Sequence, residues 1–287
     1  MGILIDRSSK VIVQGITGQM GSFFAKMMIQ SNTKIVGGVS PFKGGEWALD
    51  GRVPVFETVR SAVEATEANI SVIFVPPPNA AEAIFEAINE GISLVVCITS
   101  GIPVHDLVKV KMYLDGKDCR LIGPNSPGLC IPGELSVGIL PHNRIIKGSI
   151  GVVSRSSTLA FQIMDYMSEM GCGVSSFIGI GDAPIFGTSI EDVLGMFEED
   201  TETEKILLVG EQGGIQEENA AKYFSQHLTK PLVAYLAGQS ELLDAYPLQA
   251  ILPSQSGKTP IKDKIFALEK AGVKIATSSE EIPLLLE

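Results

Sequence analysis

Cysteine, long apolar runs and surplus positive charge are what this chain has little of. Its four cysteines, Cys97, Cys119, Cys130 and Cys172, are scattered with no C-x-x-C pair. That spacing argues against a zinc site and for free thiols in a reducing compartment. No apolar run approaches the roughly 18 residues that a membrane span needs. Lysine and arginine number 22 against 33 acidic residues, giving a net charge of −11. A broad nucleic-acid or anionic-membrane surface is thereby disfavoured. A local basic spot for a phosphorylated small molecule remains open. The opening MGILIDRSSK has no signal-peptide core, and Asp6 breaks a myristoylation pattern. The expectation is a cytoplasmic protein of 287 residues, about two domains by length.

What is present is a regular alternation. Strand-like runs rich in β-branched residues occur at 10–15, 34–40, 70–77, 93–100 and 120–124, with helical patterns such as 80–91 between them. Continuous apolar strands separated by helices imply a parallel sheet covered on both faces. The Gly- and Pro-rich stretch 126–148 interrupts the alternation and reads as a link. A second set follows at 149–155, 173–181, 205–214, 230–238 and 273–278. Two doubly wound α/β domains are expected, one at 1–125 and one at 149–287.

Two loops have the composition of phosphate sites. After the first strand, QGITGQMGS spaces Gly15, Gly18 and Gly21 ahead of a helix. Glycines admit close backbone approach, and a helix start offers free N–H groups to an anion. A tight turn without a ligand is the plainer alternative. At the end of the second strand, where an NAD site carries an acid for the ribose, stand Ser40 and Lys43. Lysine there suits an adenosine with an extra phosphate, as in NADP or coenzyme A, although it also fits a bare surface position. Loops 75–83 and 97–103 follow strand ends and hold no general base, which disfavours hydride transfer. The second candidate is Ser156-Ser157-Thr158 at a helix start, readable as caps or as an anion site. Glu211 ends a strand ahead of glycines, where it orients a partner group or is solvated.

The motifs QGITGQMGS, GGVSPFKGG, ITSGIP, IGPNSPG, GVVSRSSTL, IGIG and VGEQGG occur in that order. Together they resemble the α-subunit of succinyl-CoA synthetase over nearly the whole chain. The resemblance implies a Rossmann-like coenzyme A-binding domain followed by a flavodoxin-like ligase domain. It also implies a separate β-subunit carrying a nucleotide-grasp site, and a small carboxylic acid or acyl-CoA as substrate. In such enzymes a nucleoside triphosphate phosphorylates an α-subunit histidine. The phosphoryl group passes to a carboxylate, and the coenzyme A thiol attacks the acyl phosphate. By resemblance, Gly15, Thr17, Gly18, Gln19 and Met20 hold coenzyme phosphates, and Lys43 meets the phosphorylated adenosine. Ile98, Thr99 and Ser100 line the pantetheine path, with Asn125 and Ser126 near the thiol. Ser156, Ser157 and Thr158 begin the helix that receives the phosphohistidine, Phe161 faces substrate, and Glu211 orients the histidine.

The segment DAYPLQAILPS breaks the pattern. With Ala237-Gly238 and ALEKAGVK as anchors, the family's histidine position falls on Gln249. An amide is no phosphoryl-accepting nucleophile at neutral pH. None of His105, His142 and His227 takes over the role. Ser157 replaces a family glycine, Phe161 a tyrosine, Gln162 a glutamate and Ser126 a cysteine, and residues 179–184 read GIGDAP. By this resemblance most coenzyme A residues persist while the phosphoryl-relay residues have eroded. The resulting expectation is a coenzyme A-binding subunit of a ligase-type assembly without the phosphohistidine. An ADP- or GDP-forming acid–CoA ligase with another route, and a non-catalytic regulatory subunit, are the alternatives. An NADP oxidoreductase is a weaker one.

Overall fold

The computed structural model describes residues 3–140, 142–239 and 261–287. Two compact units divide the chain. One comprises Leu4–Asn143 with Gly179–Thr188, and the other contains Arg144–Ile178 with Ser189–Glu287.

In the first unit the chain runs β1 (Lys10–Gln14), α1 (Gln19–Gln30), β2 (Lys34–Val39), β3 (Trp47–Ala48), β4 (Val53–Phe56) and α2 (Val59–Thr66). It continues through β5 (Ile70–Ile73), α3 (Pro77–Asn89), β6 (Leu94–Cys97), α4 (Val104–Leu114) and β7 (Arg120–Ile122). The sheet order is β3-β4-β2-β1-β5-β6-β7, all parallel except the short β3. Without β3 this is the doubly wound 3-2-1-4-5-6 order. Strands β5 and β6 are buried at every position, which is why they read as unbroken apolar runs. Thr58 caps α2 through a reciprocal bond with Ser61, and Pro77 opens α3, where a missing N–H costs nothing.

The stretch 126–148, expected as a link, instead carries a hairpin, β8 (Gly128–Ile131) and β9 (Leu135–Gly138). It belongs to the first unit: Thr33 donates to Ser136 O at 2.5 Å, and Gly138 N–H reaches Met28 Sδ at 3.2 Å. The glycines mark close backbone contact. A Cβ on Gly128 would lie 2.0 Å from Val137 O.

The second unit runs β10 (Lys147–Ser154), α5 (Ser157–Glu169), β11 (Val174–Gly179), α6 (Ile190–Glu199), β12 (Lys205–Gly210) and α7 (Gln216–His227). It ends with β13 (Leu232–Leu236), α8 (Ile261–Lys270), β14 (Lys274–Ala276) and α9 (Glu281–Leu286). Its strands lie in the order β14-β13-β12-β10-β11, the flavodoxin-like 2-1-3-4-5 arrangement. Pairs β10/β12, β12/β13 and β13/β14 are parallel. Phe177 and Phe197 are among the largest fully buried side chains. A capping box between Ser189 and Asp192 starts α6. Among the described residues no helix is long and apolar enough to cross a membrane.

Candidate functional site

Each sheet has one switch point, where the chain leaves neighbouring strands in opposite directions and their C-terminal loops part to form a crevice. In the first unit it lies between β1 and β5, the strands carrying the QGITGQMGS and VPPPN loops. Gly15 adopts φ +86° and donates to Val39 O at 2.9 Å, while Gly18 N–H closes a turn on Gly15 O at 3.0 Å. The first turn of α1 rests on this loop so closely that a Cβ on Gly21 would lie 2.2 Å from Gly15 O. Helix α1 has no side-chain cap and no acid in its first turn. Its leading N–H groups therefore face the crevice mouth with partial positive charge. Gly18, Gln19 and Met20 are exposed, and Gly15 and Thr17 half-buried. Thr17 Oγ1 meets Ser40 Oγ at 2.9 Å, so the turn after β2 joins the same mouth. Lys43 projects from that turn, exposed, with its N–H on Ser40 O at 3.2 Å. An uncapped helix start, close-packed glycines and a lysine in place of an acid form a cradle suited to a phosphorylated adenosine.

The loop after β6 completes the crevice wall. Thr99 donates through Oγ1 to Val75 O at 2.7 Å, and Asn125 N–H donates to Thr99 O at 3.1 Å. Ile98 and Thr99 are half-buried and Ser100 is exposed. Asn125 takes a left-handed φ of 56° after the cis Gly123–Pro124 bond, and its amide donates to the Asp182 carboxylate. Ser126, expected beside the thiol, is buried. Its hydroxyl donates to Gly179 O at 2.5 Å and accepts Gly128 N–H at 2.8 Å. That side chain is engaged within the fold, leaving Asn125 as the member of the pair nearer solvent.

In the second unit the switch point lies between β10 and β12. Helix α5 starts there behind Ser156, again without a side-chain cap or an acidic first turn. Ser156, Ser157 and Phe161 are half-buried and Thr158 exposed. Beneath this start lies an ionic cluster that sequence reasoning missed. Arg155, Glu217 and Lys264 are all buried. Arg155 Nη1 donates to Glu217 Oε1 at 2.9 Å and to Gly213 O at 3.1 Å. Lys264 Nζ donates to Glu217 Oε2 and, at 2.8 Å, to Gly213 O, with Glu218 at 3.6 Å. Glu217 Oε1 also accepts the Glu211 N–H at 3.1 Å. Burial raises the Glu217 carboxyl, but the Arg155 and Lys264 charges outweigh it and hold the group below the usual carboxylate range. The cluster thus ties the Glu211–Gly214 loop to the root of α5 from below. One signal of it was legible: an arginine between a buried strand end and a helix start.

Other expected residues lie elsewhere. His105 pairs with Asp106 at 3.0 Å on the solvent side of α4, and His227 stacks on Tyr223 at the end of α7. Gln249 lies outside the described residues, as does the whole DAYPLQAILPS segment. The side chain of His142 is outside the description too. Among the described residues no group of three or more His, Cys, Asp or Glu side chains could hold a metal ion.

Comparison with known proteins agrees with this geometry. Residues 6–101 match the CoA binding domain family, and residues 147–283 match the succinyl-CoA ligase like flavodoxin domain. The α-subunit of ADP-forming succinate–CoA ligase from Aquifex aeolicus is 46% identical over 284 residues, which is 98% of this chain and 92% of that one. The same subunit from Staphylococcus aureus strain Mu50 is 44% identical over 282 residues, covering 98% and 93%. Among solved structures, ATP citrate lyase from Methanothrix soehngenii, in complex with citrate and coenzyme A, superposes with a TM-score of 0.83 at 23% identity. That match covers 99% of this chain, which spans about half the length of the lyase chain, and it is a likeness of fold.

Proposed function

The chain belongs to the succinate–CoA ligase α-subunit family, and from that premise we propose that it is the coenzyme A-binding subunit of a heteromeric acyl-CoA ligase-type assembly working without an α-subunit phosphohistidine. The carrying observation is the β1/β5 crevice: an uncapped α1 start over a glycine loop, with Lys43 where a dinucleotide site needs an acid. In this reading Gly15, Thr17, Gly18, Gln19 and Met20 hold the coenzyme's pyrophosphate, and Lys43 holds its 3′-phosphate. Ile98, Thr99, Ser100 and Asn125 guide the pantetheine arm. Coenzyme A supplies the thiol that becomes the acyl carrier. A β-subunit with a nucleotide-grasp site is the partner, and a small carboxylic acid or its thioester the substrate.

The second crevice keeps an anion-receptive helix start at Ser156–Thr158 and a loop that presents Glu211. Phe161 faces substrate in this reading. Gln249 stands where the family carries its histidine, and a carboxamide cannot accept a phosphoryl group. Incubated with its partner and γ-labelled ATP, the chain should take up no acid-labile phosphate. Label on the α-chain would overturn this part. The coenzyme assignment is tested by calorimetric titration of coenzyme A and 3′-dephospho-coenzyme A into the wild-type chain and Lys43→Ala. The substitution should weaken coenzyme A about tenfold, the size of one charge-assisted phosphate contact, and leave the dephospho form unchanged. No binding to wild type at millimolar coenzyme A would refute the proposal.

A further inference from the structure

Phe42 is in a conformation that its own chemistry opposes. It follows β2 with φ +64°, a left-handed backbone that bulky L side chains rarely adopt. Its ring is 95% exposed, so packing inside the fold does not compensate. Leu49 shares the left-handed backbone (φ +54°), but it is buried. A glycine at position 42 would avoid both the backbone strain and the wet aromatic surface. Strain of this kind persists where the surroundings impose it, and such residues gather at ligand sites.

The surroundings do impose it. Glu57, between β4 and α2, accepts the Phe42 N–H on Oε1 at 2.7 Å and the Gly44 N–H on Oε2 at 3.2 Å. Ser40 N–H donates to Phe56 O at 3.0 Å, and Lys43 N–H returns to Ser40 O at 3.2 Å. One carboxylate and two backbone bonds thus fix the turn. The contact of Ser40 Oγ with Thr17 Oγ1 at 2.9 Å sets that turn beside the phosphate loop. In doubly wound sheets the adenosine half of a nucleotide lies over the end of the second strand, here the end of β2. The free ring and Lys43 are neighbours at that place.

We infer that Phe42 is a base-stacking residue, its ring packing on the adenine of the coenzyme while Lys43 takes the 3′-phosphate. The inference rests on the coenzyme A reading above and adds a residue that sets affinity for the base. A stacked base meets an aromatic face with no hydrogen-bond requirement, so the ring must be presented bare to solvent in the free protein. Glu57 is then a positioning residue, acting through the turn.

The test is titration of coenzyme A and 3′-dephospho-coenzyme A into wild type, Phe42→Ala, Phe42→Trp and Phe42→Gly, with thermal unfolding of each ligand-free protein. Phe42→Ala should weaken both ligands by the same factor, about tenfold, because the base is common to them. Phe42→Trp should keep wild-type affinity. Phe42→Gly should raise the melting temperature while weakening coenzyme A as much as alanine does. A structural residue would move stability and affinity in the same direction. Wild-type affinity in Phe42→Ala, or a loss confined to coenzyme A and absent for the dephospho form, overturns the inference and leaves the coenzyme A site standing. Failure of the wild-type chain to bind coenzyme A overturns the site itself.

Discussion

Replacing Glu217 with glutamine isolates the role of the buried cluster. The side chain is fully buried, and its two oxygens accept from Arg155, Lys264 and the Glu211 N–H. The amide would keep one acceptor oxygen but turn an NH2 group toward a buried cation, a donor facing a donor. Arg155 and Lys264 would then share a buried space with Glu218, 3.6 Å from Lys264, as counter-charge. Breaking a buried pair by removing one partner costs about 3–5 kcal/mol. For a unit of this size that lowers the melting temperature by about 10–15 °C. Differential scanning calorimetry at neutral pH reads this directly. Glu67→Gln serves as control, because its pair with Lys10 is solvent-exposed and should leave the transition within about 2 °C. The pH dependence has a definite sign. A carboxyl held below its unfolded value stabilises fully above the carboxylate range, and that contribution fades as pH falls through the folded value. The gap between wild type and Glu217→Gln should therefore narrow in acid. A variant melting within about 3 °C of wild type at pH 7 would show that the cluster holds the Glu211 loop no better than a surface pair does.

Two further outcomes follow from the first unit. Gly21→Ala places a Cβ 2.2 Å from Gly15 O and 2.9 Å from Gly15 C, backbone atoms that cannot swing aside. The loop and helix must part, so titration should show coenzyme A affinity falling at least tenfold, with stability lower by about 1–3 kcal/mol in a melt; unchanged affinity would remove this loop from the site. The Cys97 thiol is fully buried, and burial pushes it up to about 12. At pH 8 a disulfide reagent should leave Cys97 unlabelled in the native chain and label it in guanidinium, with mass spectrometry locating the adduct. Rapid native labelling would contradict the burial of β6.

Physical differences between signals decide how much of this molecule could be read from its sequence. Strands such as Ile70–Ile73 and Lys205–Gly210 were legible because a strand buried on both faces must be an unbroken apolar run. Their alternation with helices supplied the two doubly wound units. The Gly15–Gly21 turn and the starts of α1 and α5 were legible for a related reason: close backbone approach demands glycine, and a helix start shows as a change of period. The hairpin at 128–138 was misread because the same residue type served another purpose. Gly128 and Gly138 pair across the two strands and leave no room for a Cβ, yet in sequence glycine and proline look like a link. The two-residue β3 had no signal of its own, since only its pairing with β4 makes it a strand.

The site divides along the same line. Its backbone-built parts, the loop Gly15–Gly21 and the starts of α1 and α5, are local and could be read. Its side-chain-built parts join residues far apart in the chain: Glu217 to Arg155 across 62 positions and to Lys264 across 47, and Phe42 to Glu57 across 15. No periodicity announces such pairs, and each member alone resembles a solvated charge or a stray aromatic. Their burial or strain gives them meaning, and both are properties of the folded chain. The loop of the first crevice is built from backbone packed so closely that a Cβ on Gly21 would meet Gly15 O at 2.2 Å. The Glu211 loop of the second crevice hangs on three buried charges, so losing any one of them should disturb it as a unit.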